Sequence, residues 1–197
     1  MKTFNVSLVG VGGQGILLTA DLLAKTAAIA GMDVKKSEIH GMAQRGGSVI
    51  SQVRFGDSVA SPIVQEGTSD ILVAFDKLEA LRWAHLKAKD GVALVNDLYL
   101  VPVTVSSGQQ SAVEGMDEKL KKAFPKAVLV DAMKISEEDV GNARTMNMVI
   151  AGALSAFTPF KERDWLKAME EILSGPKAKL LDINKKAFAA GRAAALG

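Results

Sequence analysis

Short, nearly uniform apolar runs alternate along this chain with longer stretches of mixed character. Phe4 to Val9, largely apolar, reads as one buried strand. Ile16 to Ala30 is apolar on almost every side, relieved at Thr19, Asp21, Lys25 and Thr26, which predicts a helix covered on more than one face. Asp21 and Lys25 have the spacing and order of a favourable pair within that helix, and Gly31 suits its C-terminal cap. Met32 to Ile39 reads as a second strand. Val49 to Phe55 alternates, with Val49, Ser51, Val53 and Phe55 against Ile50, Gln52 and Arg54, and predicts a half-exposed strand. No helix pattern separates these two strands, so a hairpin-like departure from the strand–helix repeat is expected there.

Further on, Ile71 to Phe75 has the continuous apolar character of a central parallel strand, and Asp76 is placed to cap the next helix. That helix is expected over Lys77 to Lys89, with Leu78, Leu81, Trp83 and Leu86 against Lys77, Glu79, Arg82 and Lys87, and with Gly91 as its stop; His85 falls on its surface. Val92 to Val95 predicts a buried strand. Leu98 to Val105 is strand-like, with Pro102 at an edge or bend. Met116 to Phe124 forms a short helix ended by Pro125, Val128 to Val130 a strand, and Ser136 to Gly141 one capped turn. Asn142 to Phe157 predicts a long helix whose small residues, Ala151, Gly152, Ala153, Ser155 and Ala156, permit another element to come close. Asp164 to Leu173 and Ala178 to Ala195 are the last helices, separated at Gly175-Pro176. The class is therefore α/β: one Rossmann-like domain spanning the chain, a mostly parallel sheet flanked by helices, with a C-terminal helical extension from about residue 160.

Composition removes several function classes. The 197 residues carry a formal net charge of only +2, with basic residues scattered, so no nucleic-acid footprint is present. Aromatic residues make up 5%, too few for stacking platforms. No apolar run approaches the roughly 18 residues of a membrane span, and no charged leader precedes the first strand, which together give the expectation of a cytoplasmic protein. The chain has no cysteine, which removes disulfides, a cysteine nucleophile and thiolate-held iron–sulfur clusters.

Two stretches carry the candidate chemistry. In Gly10-Val11-Gly12-Gly13-Gln14-Gly15, between the first strand and first helix, Gly10 permits the sharp exit, Gly12 a close backbone approach, and Gly15 tight packing of helix on strand. The N–H groups of Gly12 to Gly15 would then point into a partly positive spot suited to an anion. A dinucleotide site wants an acidic residue about 20 residues further on; Glu38 fits roughly, but Gly41 and Met42 follow it rather than a crossover helix. The second stretch, Ile39 to Ser48, supplies His40, Gln44 and Arg45 among Gly41, Gly46, Gly47 and Ser48, and Arg45 could hold a carboxylate or phosphate bidentately. No catalytic residue and no metal-ligand constellation stands out. A binding turn and a contact loop without catalytic machinery suggest a subunit whose chemistry sits elsewhere.

Together the two stretches resemble the small β subunit of indolepyruvate:ferredoxin oxidoreductases and, more broadly, the γ subunit or domain of 2-oxoacid:ferredoxin oxidoreductases. Asn147-Met148-Val149-Ile150-Ala151-Gly152-Ala153 and Asn184-Lys185-Lys186-Ala187-Phe188 fit the same pattern. The resemblance implies oxidative decarboxylation of an aryl 2-oxoacid with coenzyme A, giving acyl-CoA, carbon dioxide and reduced ferredoxin. It places thiamine diphosphate and the iron–sulfur clusters in a large α subunit, and leaves this chain without a cofactor of its own. The glycine turn and the Gly41–Ser48 loop are then expected either to shape a 2-oxoacid or coenzyme A site at that partner or to pack against it. A pyruvate or 2-oxoisovalerate enzyme, and a free-standing NAD- or FMN-binding protein, are the alternatives.

Overall fold

In a computed structural model, residues 2–40 and 47–197 are described, the side chains of His40 and Val103 excepted. The strands are β1 (Phe4–Val11), β2 (Asp33–His40), β3 (Ser48–Gly56), β4 (Ser69–Ala74), β5 (Lys87–Asn96) and β6 (Val128–Val130). They form one sheet in the order β2-β3-β1-β4-β5-β6. β1, β4, β5 and β6 run parallel, and β3 lies antiparallel between β2 and β1. The expected hairpin-like departure takes this form: β3 runs back against β2 and inserts beside β1.

Side-chain alternation divides the core between the two faces. Val6, Leu8, Val53, Phe55, Ile71, Val73 and Leu94 point to one face. It is covered by α1 (Ile16–Ile29), α6 (Met146–Ser155), α7 (Glu162–Ile172) and α8 (Leu181–Leu196). Val9, Ile50, Leu72, Ala74, Ala93 and Val95 point to the other, under the shorter α2 (Lys77–Arg82) and α4 (Met116–Ala123). Small helices lie in the connections that follow β5 and β6: α3 (Val103–Ser106), α5 (Ala132–Lys134), a π-helical turn at Ile135–Val140 and a 3-10 turn at Ala143–Thr145. Trp165 of α7 and Phe188 of α8 are fully buried, their rings 5.7 Å apart, so the C-terminal helices share the core of the sheet.

Five local expectations are corrected. β3 is buried along most of its length, because α1 packs on one side, the loop through Ser61 to Val64 meets Gln52 and Arg54 on the other, and its polar members are bonded inside: Gln52 Oε1 accepts Val64 N–H at 3.1 Å. The helix after Asp76 ends at Arg82, and Lys87 to Lys89 already belong to β5. Gly91 lies within that strand, where a Cβ would fall 2.7 Å from the Ser69 carbonyl oxygen. Leu98 to Val105 is not a strand; the chain leaves the sheet after Asn96 and re-forms as α3. Asp21 and Lys25 do not depend on each other either: Asp21 pairs with Lys36 of β2, and Lys25 with Glu171 of α7 at 2.6 Å.

Asp33 opens β2. The Lys35 ammonium, at 2.8 Å, and the Val59 N–H, also at 2.8 Å, hold its pKa below the ordinary carboxylate value. A depressed folded-state pKa contributes stability that is present above the unfolded value and lost as pH falls through the folded one. Asp33→Asn is therefore expected to flatten the decline of the urea midpoint between about pH 5 and pH 2, while leaving the slope above about pH 6 unchanged.

Candidate functional site

The strand order changes direction between β1 and β4: from β1 the chain departs towards β2, and from β4 towards β5. In open α/β sheets the crevice beyond the strands' carboxyl ends at such a point is where ligands bind. Here that crevice is built by the glycine turn. Gly10 has no room for a side chain, since a Cβ would lie 2.7 Å from Gln14 Oε1 and 2.8 Å from Phe75 Cβ. Gln14 closes the turn: its Oε1 accepts Val11 N–H at 2.7 Å and its Nε2 donates to the Phe75 carbonyl at 3.1 Å. Buried Asn96 donates to the same carbonyl at 3.1 Å and accepts Ala132 N–H at 3.0 Å, tying the ends of β4 and β5 to α5.

Gly15 caps α1 in the left-handed region, at φ 86°, with no side-chain cap. A Cβ there would lie 2.7 Å from Asn147 Cβ, so glycine lets the start of α6 approach the start of α1. Thr19 Oγ1 fixes the contact by donating to the Asn147 carbonyl at 3.3 Å. Two helix amino termini thus meet beside one cleft, of about 470 Å³, lined by Gly12 to Gly15, Leu98, Leu100, Met133, Ala143, Arg144, Met146 and Asn147. Both helix ends present partial positive charge, and Arg144 is the charged side chain of the lining. The arrangement favours an anion with an apolar portion. A larger cavity, of about 670 Å³, opens at the opposite ends of the strands around Asn5, Arg54 and Asp70. Those groups are engaged with the fold: Arg54 Nη1 donates to the Ser61 carbonyl at 2.7 Å, and Asp70 accepts Asn5 N–H at 2.7 Å.

The structure brings the two sequence stretches together. Gly12 N–H donates to the Gly47 carbonyl at 2.9 Å, and Ser48 begins β3 opposite Val11. His40 ends β2. Gly41, Gln44, Arg45 and Gly46 lie outside the described residues. Glu38, the candidate ribose ligand, pairs with Lys36 at 2.6 Å on the edge strand β2. Arg144, Leu100 and Asn96 are parts of the site that the sequence does not single out. The one local signal for Arg144 is Asn142, whose side chain caps the Arg144 N–H at 3.0 Å just ahead of a helix.

The sequence, over nearly its whole length, matches one family. The model of the pyruvate ferredoxin/flavodoxin oxidoreductases fits residues 5–194. The chain belongs to this family. Within the pyruvate ferredoxin/flavodoxin oxidoreductases it is similar to the indolepyruvate oxidoreductase subunit IorB of Pyrococcus horikoshii, at 40% identity over 99% of this chain and 97% of that one. The IorB subunit of Thermococcus kodakarensis is 39% identical with the same coverage. The crystal structure of the keto/oxoacid ferredoxin oxidoreductase gamma subunit from Geobacter sulfurreducens shares the fold, with a TM-score of 0.71 at 23% identity over 98% of each chain. Among the described residues, no group of three His, Cys, Asp or Glu is placed to hold a metal, and no helix is long and apolar enough to cross a membrane.

The turn also yields a paired prediction. Gly13→Ala and Gly15→Ala both force alanine into the left-handed region, at φ 104° and 86°. Only Gly15 also meets Asn147, because nothing lies within 4 Å of the Gly13 Cβ position. Gly13→Ala should cost about 1 kcal/mol and Gly15→Ala about 2 kcal/mol or more, read as a larger fall in melting temperature for the second.

Proposed function

We propose that this chain is the small subunit of an indolepyruvate:ferredoxin oxidoreductase working in the cytoplasm with a large α subunit. The complex converts an aryl 2-oxoacid and coenzyme A into acyl-CoA and carbon dioxide and passes the electrons to ferredoxin. The observation that carries the reading is 40% identity, over nearly the full length of both chains, to a subunit named for that substrate. Thiamine diphosphate and the iron–sulfur clusters, which supply the decarboxylation and electron transfer, belong in this reading to the α subunit. A chain without cysteine has no ligands for thiolate-held clusters.

What this chain contributes is the anion-favouring cleft at the glycine turn. The first-turn N–H groups of α1 and the Arg144 guanidinium suit a carboxylate or phosphate, and Leu98, Leu100 and Met133 suit the apolar remainder of a ligand. Leu100 and Val101 are 40% and 54% exposed beside the cleft, apolar surface of the kind a partner subunit covers. Arg45 of the second stretch is the further cation candidate. The test is the reconstituted complex assayed with indolepyruvate, phenylpyruvate and pyruvate. Arg45→Ala and Arg144→Ala should each raise the KM for the 2-oxoacid or for coenzyme A severalfold while the subunits still assemble. Unchanged assembly and unchanged KM values for both substrates would refute the binding role. Tight binding of NAD or FMN by the isolated chain in calorimetry would instead identify a free-standing nucleotide-binding protein.

A further inference from the structure

Glu79 stands on what the sequence presents as the polar face of a helix, yet it is only 2% exposed. Its Oε1 accepts Arg82 Nη1 at 2.6 Å, and its Oε2 accepts both the Ser48 hydroxyl and Trp83 Nε1, the latter at 3.2 Å. Trp83 Nε1 also reaches Ser48 Oγ, at 3.2 Å. The carboxylate is not needed to start its own helix, since the N–H groups of Leu78 and Glu79 go to Asp76. A buried carboxylate carries a desolvation penalty that an apolar residue would avoid, and its return is a fixed orientation for the groups that bond it. Here the bonded group from beyond the helix and its C-cap Trp83 is Ser48, at the start of β3. Its neighbour Gly47 receives the Gly12 N–H of the glycine turn at 2.9 Å.

We propose that Glu79 is a positioning residue: through Ser48 it locks the carboxyl-terminal shoulder of the second glycine-rich stretch against the glycine turn and so sets the affinity of the cleft for its anionic substrate. The proposal rests on the reading that the two stretches together meet the 2-oxoacid or coenzyme A. Glu79 touches no substrate, and its effect passes through Gly47 and Gly12.

The experiment compares Glu79→Ala, Ser48→Ala and the double variant in the reconstituted complex, with Arg45→Ala alongside. Alanine at position 79 removes both acceptor oxygens and with them the hold on Ser48; alanine at Ser48 removes only a hydroxyl and keeps the proposal testable if Glu79→Ala folds poorly. Each single variant should raise the KM for one of the two substrates about threefold to tenfold with kcat near wild type. The double variant should be no worse than the stronger single, because both act on one linkage. A lower melting temperature with unchanged KM values would overturn the positioning role, as would additive effects. Arg45→Ala separates the failures. If it shifts KM and the Glu79 and Ser48 variants do not, positioning alone is wrong; if none of the variants shifts KM, the reading of the cleft falls with it.

Discussion

Gly152→Ala is expected to lower the melting temperature by roughly 10 °C or to leave the chain insoluble, and Gly191→Ala to do the same. These glycines form the contact between α6 and α8. A Cβ on Gly152 would stand 1.9 Å from the Phe188 carbonyl oxygen, and one on Gly191 would stand 1.9 Å from the Val149 carbonyl oxygen. Both obstacles are backbone in regular helices, so no rotamer change relieves them, and the helices must separate. Separation would also disturb the fully buried Trp165 and Phe188 and pull Arg192 from Ser155 Oγ, which it bonds at 2.8 Å. Overpacking with loss of neighbouring contacts should cost about 3 kcal/mol or more. Because the first Cβ already opens the interface, the double variant should cost clearly less than the sum of the singles. Thermal melts of the three variants check this, and a Gly152→Ala chain melting within about 2 °C of wild type would show that the helices are not so closely packed.

That contact also shows what kind of information the sequence holds. Small residues in the Asn142–Phe157 stretch are legible as room for a neighbour, because the signal is local. The neighbour is not, since Gly191 belongs to another helix near the far end of the chain. The same boundary runs through the site. The glycine turn is readable because strand, glycines and helix are contiguous. Arg144 joins it only because the sheet order brings the start of α6 beside Gly15. Helical periodicity assigns Glu79 to solvent, but α2 stops at Arg82, and Ser48 and Trp83 close over the carboxylate. Gly91 looks like a helix stop because the ladder with β4, which leaves no space for its side chain, is a tertiary fact. β3 reads as half exposed because alternation records polarity and not partners; Gln52 and Ser51 are polar and buried, their bonds made inside the fold.

Asp76→Ala is expected to cost on the order of 3 kcal/mol and to impair the cleft as well. Asp76 follows β4, is 1% exposed, and is legible in the sequence only as a helix cap. As a cap its Oδ1 accepts Leu78 N–H at 2.8 Å and Glu79 N–H at 3.2 Å. Its Oδ2 makes a different bond, accepting Leu100 N–H at 2.6 Å, and this holds the segment after β5 over the carboxyl ends of the strands. Leu98 and Leu100 of that segment line the cleft, and the Leu98 carbonyl receives Lys77 N–H at 2.8 Å. Alanine would leave three donors without their acceptor. Loss of a cap costs about 1 kcal/mol, and each buried unpaired N–H adds about 1 kcal/mol or more. Asparagine is the informative comparison, because its one oxygen can keep the cap while its NH2 cannot accept from Leu100. Asp76→Asn should therefore retain most of the melting temperature yet raise KM in the reconstituted complex, whereas Asp76→Ala should lose both. Equal KM values for Asp76→Asn and wild type would mean that the Leu100 segment holds its place over the cleft without this bond.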